Sequence, residues 1–244
     1  MGRLLETFNY MVFKIDMLIK EVYQEKLAQK NAELEALQSQ INPHFLYNTF
    51  NLISSIAGMQ GVDSICKITG CISDMFRYSI QESLIVKLKD ELREVDNYVT
   101  IQTIRFKDRL YADFDIENET LDTPVPIFLL QPLVENAIIH GLEPKEGIGY
   151  ISIIAYMVED EVELIVRDNG VGISSVKMKE LLKSMNKDQI EPISTEGHSS
   201  IGIKNVNQRI KAYYGEEYGI KLESNLNTGT SVRIRIPKNI TKTI

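Results

Sequence analysis

Cysteine is scarce in this chain. Only Cys66 and Cys71 occur, they form no C-x-x-C pair, and only three histidines stand beside them. That argues against a zinc site and leaves the two thiols as reduced core residues of a reducing compartment. A basic excess is missing too: 27 Lys and Arg face 34 Asp and Glu, for a net charge of -7. A nucleic-acid surface needs a basic stripe, so that class of partner is excluded, while a local basic site for phosphates remains allowed. Long apolar runs are also absent, since none approaches the ~18 residues that a membrane helix needs. The start, MGRLLETFNYMVFKIDMLIK, carries acids and has no signal-peptide layout. The expectation is a chain that does not itself cross a membrane but can be one piece of a protein that does. There is neither an internal repeat nor a low-complexity tract.

What is present is an ordinary globular balance, 43% hydrophobic and 25% charged over 244 residues, enough for one or two domains. Three regions succeed one another. Residues 1 to about 41 read as one long helix. Phe8, Ile15 and Val22 recur every seven residues with Met11 and Leu18 between them, and Leu27, Leu34 and Ile41 form a second set with Leu37 between. Both sets are coiled-coil seams, and the five-residue step from Val22 to Leu27 offsets their registers. The plain reading is a dimerisation rod; the sharper one is a rod that transmits rotation or register. Residues 42–108 are also read as helical. Pro43 starts a helix after Asn42 or kinks a continuous one. Gly58 and Gly61 mark a turn, and a second long helix carries Leu88, Leu92, Val95 and Val99 to about Phe106. Two helices per chain and a dimerising rod predict a four-helix bundle made by two chains.

From about residue 109 the pattern becomes mixed α/β. YADFDI, YISIIAYMV, VELIVRD, GIKLESNL and TSVRIRI read as strands. IFLLQPLVENAIIHGL reads as a buried helix, and IKNVNQRIKAYYG as an amphipathic helix stopped by Gly215. Residues 174–200 are polar and uneven. The prediction is a sheet covered on one face by helices.

Pieces scattered through this half suggest one ATP site. Asn136 offers a carboxamide oxygen, a hard neutral ligand suited to Mg2+. His140 follows at i+4 on the same side, within reach of phosphate or ribose. Asp168-Asn169-Gly170-Val171-Gly172 follows an apolar strand, where a carboxylate can accept from the exocyclic amine of a base and glycines let the backbone approach closely. Ile201-Gly202-Ile203 opens a helix, whose free N–H groups suit phosphate. Gly229-Thr230 precedes the last strand. Taken singly each has a plainer reading: a capping residue, a turn, a turn again, a hairpin.

Together they carry a resemblance. LQPLVENAIIHGL, VRDNGVGI, IGIKNVNQRI and NTGTSVRIRIP resemble the ATP-binding motifs of the GHKL fold, the group of histidine kinases, Hsp90 and type II topoisomerases. The resemblance implies that Asn136 ligates Mg2+ and that Asp168, helped by Thr230, holds the adenine. It further implies that Gly170, Gly172 and Gly202 line the site and that residues 173–201 form an ATP lid. The hydrolytic members carry a Glu four residues before the motif Asn. Here Pro132 stands there, which implies a site that hands phosphate on rather than hydrolysing ATP quickly. The glycine-rich lead of the third motif is replaced by His198-Ser199-Ser200.

LQSQINPHFLYNTFNLIS resembles the phospho-acceptor motif of YesM/LytS-like sensor kinases, and the likeness continues through RYSI and NYVTIQTIRFKDRL. By position alone His44 falls seven residues after Leu37 and reads more readily as a polar residue on the seam. By resemblance it is the phospho-acceptor. Phe45 occupies the place where many histidine kinases put an acid, so no base is assigned. Asn48, at i+4, takes the place of residues that position water for removing phosphate from the partner. FNYMVFKIDMLIKEVYQEK resembles the end of a HAMP linker, which implies a missing N-terminal sensor with membrane helices and a cytoplasmic location for this portion. The expected organisation is a HAMP-like end and signalling coiled coil over 1–37, dimerisation and histidine phosphotransfer helices over 38–108, and an ATP-binding GHKL α/β sandwich over 109–244. The expected function is a homodimeric kinase that uses ATP and Mg2+ to phosphorylate His44. It then passes the phosphoryl group to an Asp of a response-regulator receiver domain. The alternatives are an ATP-sensing dimeric scaffold without phosphotransfer and a GHKL-type ATPase.

Overall fold

The computed structural model describes residues 2–39, 43–81, 83–185 and 198–239. Ile41 of the second heptad set, Asn42 as a cap, and residues 186–197 of the expected lid lie outside them. The chain divides into two compact units, Met1–Thr49 and Phe50–Ile244.

The first unit holds α1 (Gly2–Ser39) and the start of α2 (Pro43–Met59). Pro43 opens α2, where its fixed φ suits a first helical turn and its missing N–H costs nothing. The stripe Phe8, Met11, Ile15, Leu18 and Val22 along α1 stays about half exposed in the single chain, from 48% to 60%. None of the described helices is long and apolar enough to cross a membrane.

In the second unit, α2 turns through Gly61, which takes a positive φ of 69°, into α3 (Asp63–Ser79). The single helix expected up to Phe106 is broken here. A short strand, β1 (Ile85–Lys87), intervenes before α4 (Leu88–Phe106) and pairs antiparallel with β3 (Pro124–Pro126). Leu88 N and Lys89 N donate to the carbonyls of Thr123 (2.9 Å) and Leu121 (3.0 Å). Those carbonyls satisfy the donors that an uninterrupted helix would have used. The periodic residues of α4 are buried as expected, but Leu88, Leu92, Val95, Tyr98 and Val99 belong to the core of the sheet domain.

That core lies under a five-stranded sheet ordered β2-β4-β5-β7-β6, with β2 (Leu110–Ile116), β4 (Gly149–Val158), β5 (Glu161–Asp168), β6 (Gly219–Asn225) and β7 (Gly229–Pro237). β2 runs parallel to β4 and the other neighbours pair antiparallel. Period-two alternation puts Ile151, Ile153 and Ala155 of β4, Val162, Leu164 and Val166 of β5, and Val232, Ile234 and Ile236 of β7 on one buried face. Its covering layer includes α5 (Gln131–Asn136), the π-helical turn Ala137–Leu142 and α7 (His198–Tyr214), with α6 (Ser175–Met185) packed on α7. The outer face carries charge pairs such as Arg233–Glu163 at 2.9 Å and Arg235–Glu161 at 2.8 Å. Cys66 and Cys71 are free and half-buried.

Leu88 is fully buried. Leu88→Ala should therefore cost the second unit about 2–5 kcal/mol of stability. Urea unfolding should show this loss unchanged across a wide range of chain concentration. A loss that disappears on dilution would place α4 in an interface between chains instead.

Candidate functional site

The same alternation that builds the core places the site. Asp168 is the last residue of β5, in line with Val166, and its cross-strand partner is Thr230, in line with Val232. Both polar side chains thus stand on the helix-facing side of the sheet, at the end of the apolar rows. A cavity of about 250 Å³ opens there, and Asn136, His140, Asp168, Gly172 and Thr230 all line it. Leu133, Ala137, Val166, Ile203 and Val232 complete an apolar floor and wall. An apolar slot with a few convergent polar groups suits a flat heterocycle carrying a polar edge.

Asp168 is 6% exposed. Burial pushes its carboxyl up to about 6, while hydrogen bonds from the backbone N–H groups of Gly170 and Thr230 and the nearby charge of Lys145 pull it back down. Gly170 N donates to Oδ1 at 2.7 Å. Thr230 Oγ1 lies 2.9 Å from Ser224 Oγ, which donates to the Gly229 carbonyl and accepts from Ile173 N. Ser224 has one hydroxyl hydrogen and spends it on Gly229, so Thr230 is the donor in the pair.

Tight backbone contact holds this carboxylate in place. A Cβ on Gly141 would lie 2.8 Å from Asp168 Oδ1, and one on Gly170 would lie 2.3 Å from the Gly141 carbonyl. Val171 N donates to Gly141 O at 2.9 Å, taking that carbonyl for the loop rather than the helix. The π-helical turn accommodates this departure, with Glu143 N reaching back five residues to Ile138 O at 2.8 Å. Gly172, at φ 69°, would put a Cβ 2.1 Å from Asn225 O.

Asn136 Nδ2 donates to the Pro132 carbonyl at 2.7 Å, so Oδ1 is the amide atom left for a ligand. That donor set fits a hard divalent cation whose other ligands are phosphate oxygens and water. His140 is pushed below its ordinary pKa, first by burial and then by the charge of Lys177, so its imidazole is neutral at pH 7.

Gly202 departs from expectation. It lies inside α7 rather than before it, so its N–H is not a free helix terminus. Its smallness is what counts: a Cβ there would meet Asn136 Nδ2 at 3.2 Å. Gly170 packs against the helix instead of lining the cavity. His44 and Asn48 are elsewhere in the chain, in the first unit, four residues apart on one face of α2 and both exposed. Sequence reasoning missed Gly141, Lys177 and the apolar wall. Only the dipeptide His140-Gly141 inside LVENAIIHGL hinted at the first of these.

Residues 32–110 match the family model described as histidine kinase. Residues 124–240 match the one described as histidine kinase-, DNA gyrase B-, and HSP90-like ATPase. The chain is 36% identical over 237 residues to the sensor histidine kinase YesM of Bacillus subtilis, covering 97% of this chain and 38% of that protein. It is 34% identical over 219 residues to the sensor protein LytS of Bacillus cereus, covering 89% of this chain and 36% of that one. It thus spans under two fifths of the length of these relatives. Among solved structures, the catalytic domain of the histidine kinase ThkA aligns with 67% of this chain and 100% of its own at a TM-score of 0.47 and 24% identity.

Asp168 is a carboxylate whose folded pKa, about 6, lies above its usual 3.8. Without a ligand it therefore subtracts stability as pH rises from 4 to 7, by about 2–3 kcal/mol in all. Asp168→Asn should be the more stable protein at pH 7, with the difference vanishing near pH 4. Urea melts of ligand-free protein at both values check this, and equal pH dependence of the two proteins would contradict it.

Proposed function

The chain belongs to the sensor histidine kinases, and from that premise we propose that it phosphorylates itself on His44 from Mg-ATP and hands the phosphoryl group to an Asp of a receiver domain. Asp168 carries the assignment of the nucleotide site. It is a buried carboxylate with a raised pKa, facing an apolar slot, and it gains a natural partner in the amino edge of adenine. A donor at that edge favours the ionised form, so nucleotide binding is strongest above pH 6 and weakens as pH falls through it. Thr230 lies beside Asp168 and Gly172 sets the tight turn behind it. Gly170 and Gly202 allow the close packing that keeps Asp168 and Asn136 in place.

Asn136 Oδ1 contributes a ligand to Mg2+, which supplies charge neutralisation on the phosphates when bound. His140 is neutral and can accept or donate a hydrogen bond along the ribose or phosphates. No side chain needs to act on the phosphorus covalently: positioning and electrostatic stabilisation carry phosphoryl transfer. In the transfer an imidazole nitrogen of His44 forms the P–N bond as the bond from the γ-phosphorus to the bridging oxygen breaks, and ADP leaves. His44 is exposed on α2, as a residue that must meet both a nucleotide and a partner protein requires. Asn48 is the residue for positioning a water against the receiver-domain phosphate. Pro132, where hydrolytic relatives hold an acid, favours transfer over hydrolysis.

The half-exposed apolar stripe of α1 supports a parallel homodimer. Residues 1–37 form its signalling segment and 38–108 its dimerisation and phosphotransfer region, with the final helix α4 shared with the core of the nucleotide domain. That the chain matches 38% of the length of the YesM sensor supports reading it as the cytoplasmic portion of a membrane-bound sensor.

Two substitutions separate binding from transfer. His44→Gln should abolish phosphorylation while Mg-ATP affinity stays within about twofold, because no binding group is lost. Asn136→Asp should weaken Mg-ATP use at least about tenfold by disturbing the metal ligand and the phosphate charge balance. Binding titrations with filter assays of labelled chain read both. Chains mixed from the two variants recover phosphorylation only if transfer runs between protomers. Retention of phosphorylation in His44→Gln would remove His44 from its role.

A further inference from the structure

Glu91 is the one fully buried charged residue among those described, at 0% exposure on α4, far in sequence from every motif of the nucleotide site. Its carboxylate is surrounded by donors. Oε1 accepts from the Tyr78 hydroxyl, at the end of α3, and from Phe128 N. Oε2 accepts from Leu130 N at 2.9 Å, and Leu129 N adds a further backbone donor. Successive N–H groups converging on one carboxylate form an anion nest. The backbone conformation that makes the nest is costly: Phe128 takes a φ of 56°, rare for a bulky residue, and Leu130 returns to the right-handed region at φ -91° and ψ -36°.

The nest leads straight into the helix that carries the metal ligand. Leu130 is the N-cap of α5, and the last residue of α5 is Asn136. From a distant helix Glu91 therefore takes the N–H of Leu130, the N-cap of α5, together with those of the two residues that lead into it. The same loop is gripped from its other side. Arg209 of α7 donates to the carbonyls of Ile127 and, at 3.2 Å, Phe128. α7 also carries Gly202, whose Cα lies against the Asn136 amide. Tyr78 closes the assembly by packing its ring edge-on to Phe128, with centroids 5.4 Å apart.

We propose that Glu91 is a positioning residue of the nucleotide site: its carboxylate clamps residues 128–130 and so sets the axial seat of α5 and of Asn136, and Tyr78 makes that seat dependent on α3. The proposal rests on the reading of Asn136 as the magnesium ligand. It assigns no contact between Glu91 and nucleotide. It makes the end of the helical region and the metal half of the nucleotide site one mechanical unit, while the carboxylate and hydroxyl of the adenine half stand on β5 and β7.

That separation is what an experiment can read. In the full chain, ATP affinity is titrated against Mg2+ concentration, and ADP affinity is measured with the metal chelated. Glu91→Gln keeps the side-chain volume but replaces one accepting oxygen by a donor that faces N–H groups. It should raise the half-saturating Mg2+ concentration about tenfold, the scale of one lost hydrogen bond to a charged group, while metal-free ADP affinity moves less than about twofold. Tyr78→Phe keeps the ring and removes only the hydroxyl, and should move the Mg2+ midpoint in the same direction by about threefold. It decides the matter if Glu91→Gln does not fold. Equal weakening of both affinities would reduce Glu91 to a residue of general stability and overturn the proposal, as would a wild-type Mg2+ midpoint in Tyr78→Phe. Failure of the wild-type chain to bind either nucleotide would instead overturn the nucleotide site itself.

Discussion

Asp168 sits where three stretches of backbone meet with no room for a side chain between them. Gly141 from the π-helical turn presses on its carboxylate and Gly229 from the start of β7 on its own carbonyl, where a Cβ would lie 2.0 Å from Asp168 O, while Gly170 from the following loop presses in turn on Gly141. The contact fixes a carboxylate at the rim of an apolar slot and forbids it to swing away. Much of the second unit can be read as the means of holding that contact. The sheet register delivers Asp168 and Thr230 side by side. The helix gives up its regular hydrogen bonding so that Gly141 O can receive Val171 N. α7 leaves a glycine beside Asn136. Keeping a buried carboxylate ionised costs stability, and a ligand that donates to it recovers that cost on binding. The site is thus poised for a ligand rather than for its own stability.

Labour is divided along the chain. The groups assigned to binding lie on or behind a rigid sheet, and the proposed acceptor, His44, lies in the other compact unit, exposed. Under the proposed function, affinity for nucleotide and access of the acceptor could then be controlled separately. Glu91 and Tyr78 link the end of α3 to residues 128–130, which lead into the helix that carries Asn136.

Much of the fold was legible in the residues alone, for definite reasons. Strand alternation exposed β2, β4, β5, β6 and β7, because each half-buried strand has to repeat every two residues. The candidate site was legible through motifs that resemble those of the GHKL fold, and one cavity gathers Asn136, His140, Asp168, Gly172 and Thr230 from them. The short strand before α4 was not, because Ile85–Lys87 is too short to show a period and its partner, Pro124–Pro126, lies in a stretch that looks like loop. The apolar rhythm of Leu88, Leu92, Val95 and Val99 was real, but periodicity shows that a face is buried and not what buries it. The π-helical turn and the placement of Gly202 inside α7 arise from contacts between segments distant in sequence. Glu91 was invisible for the same reason: on paper it is one more acid in a charged helix, and only the fold brings Phe128, Leu129 and Leu130 onto it.

The claim on which everything else depends is that phosphate moves from ATP bound in the second unit to His44. Incubation of the wild-type chain with Mg-ATP labelled at the γ-position, followed by acid and alkali treatment and mapping of the labelled peptide, tests it directly. The account predicts label that is lost in acid, survives alkali, and maps to the peptide containing Pro43-His44-Phe45. Acid-stable label, label on another peptide, or release of free phosphate with no labelled chain at any time would contradict it.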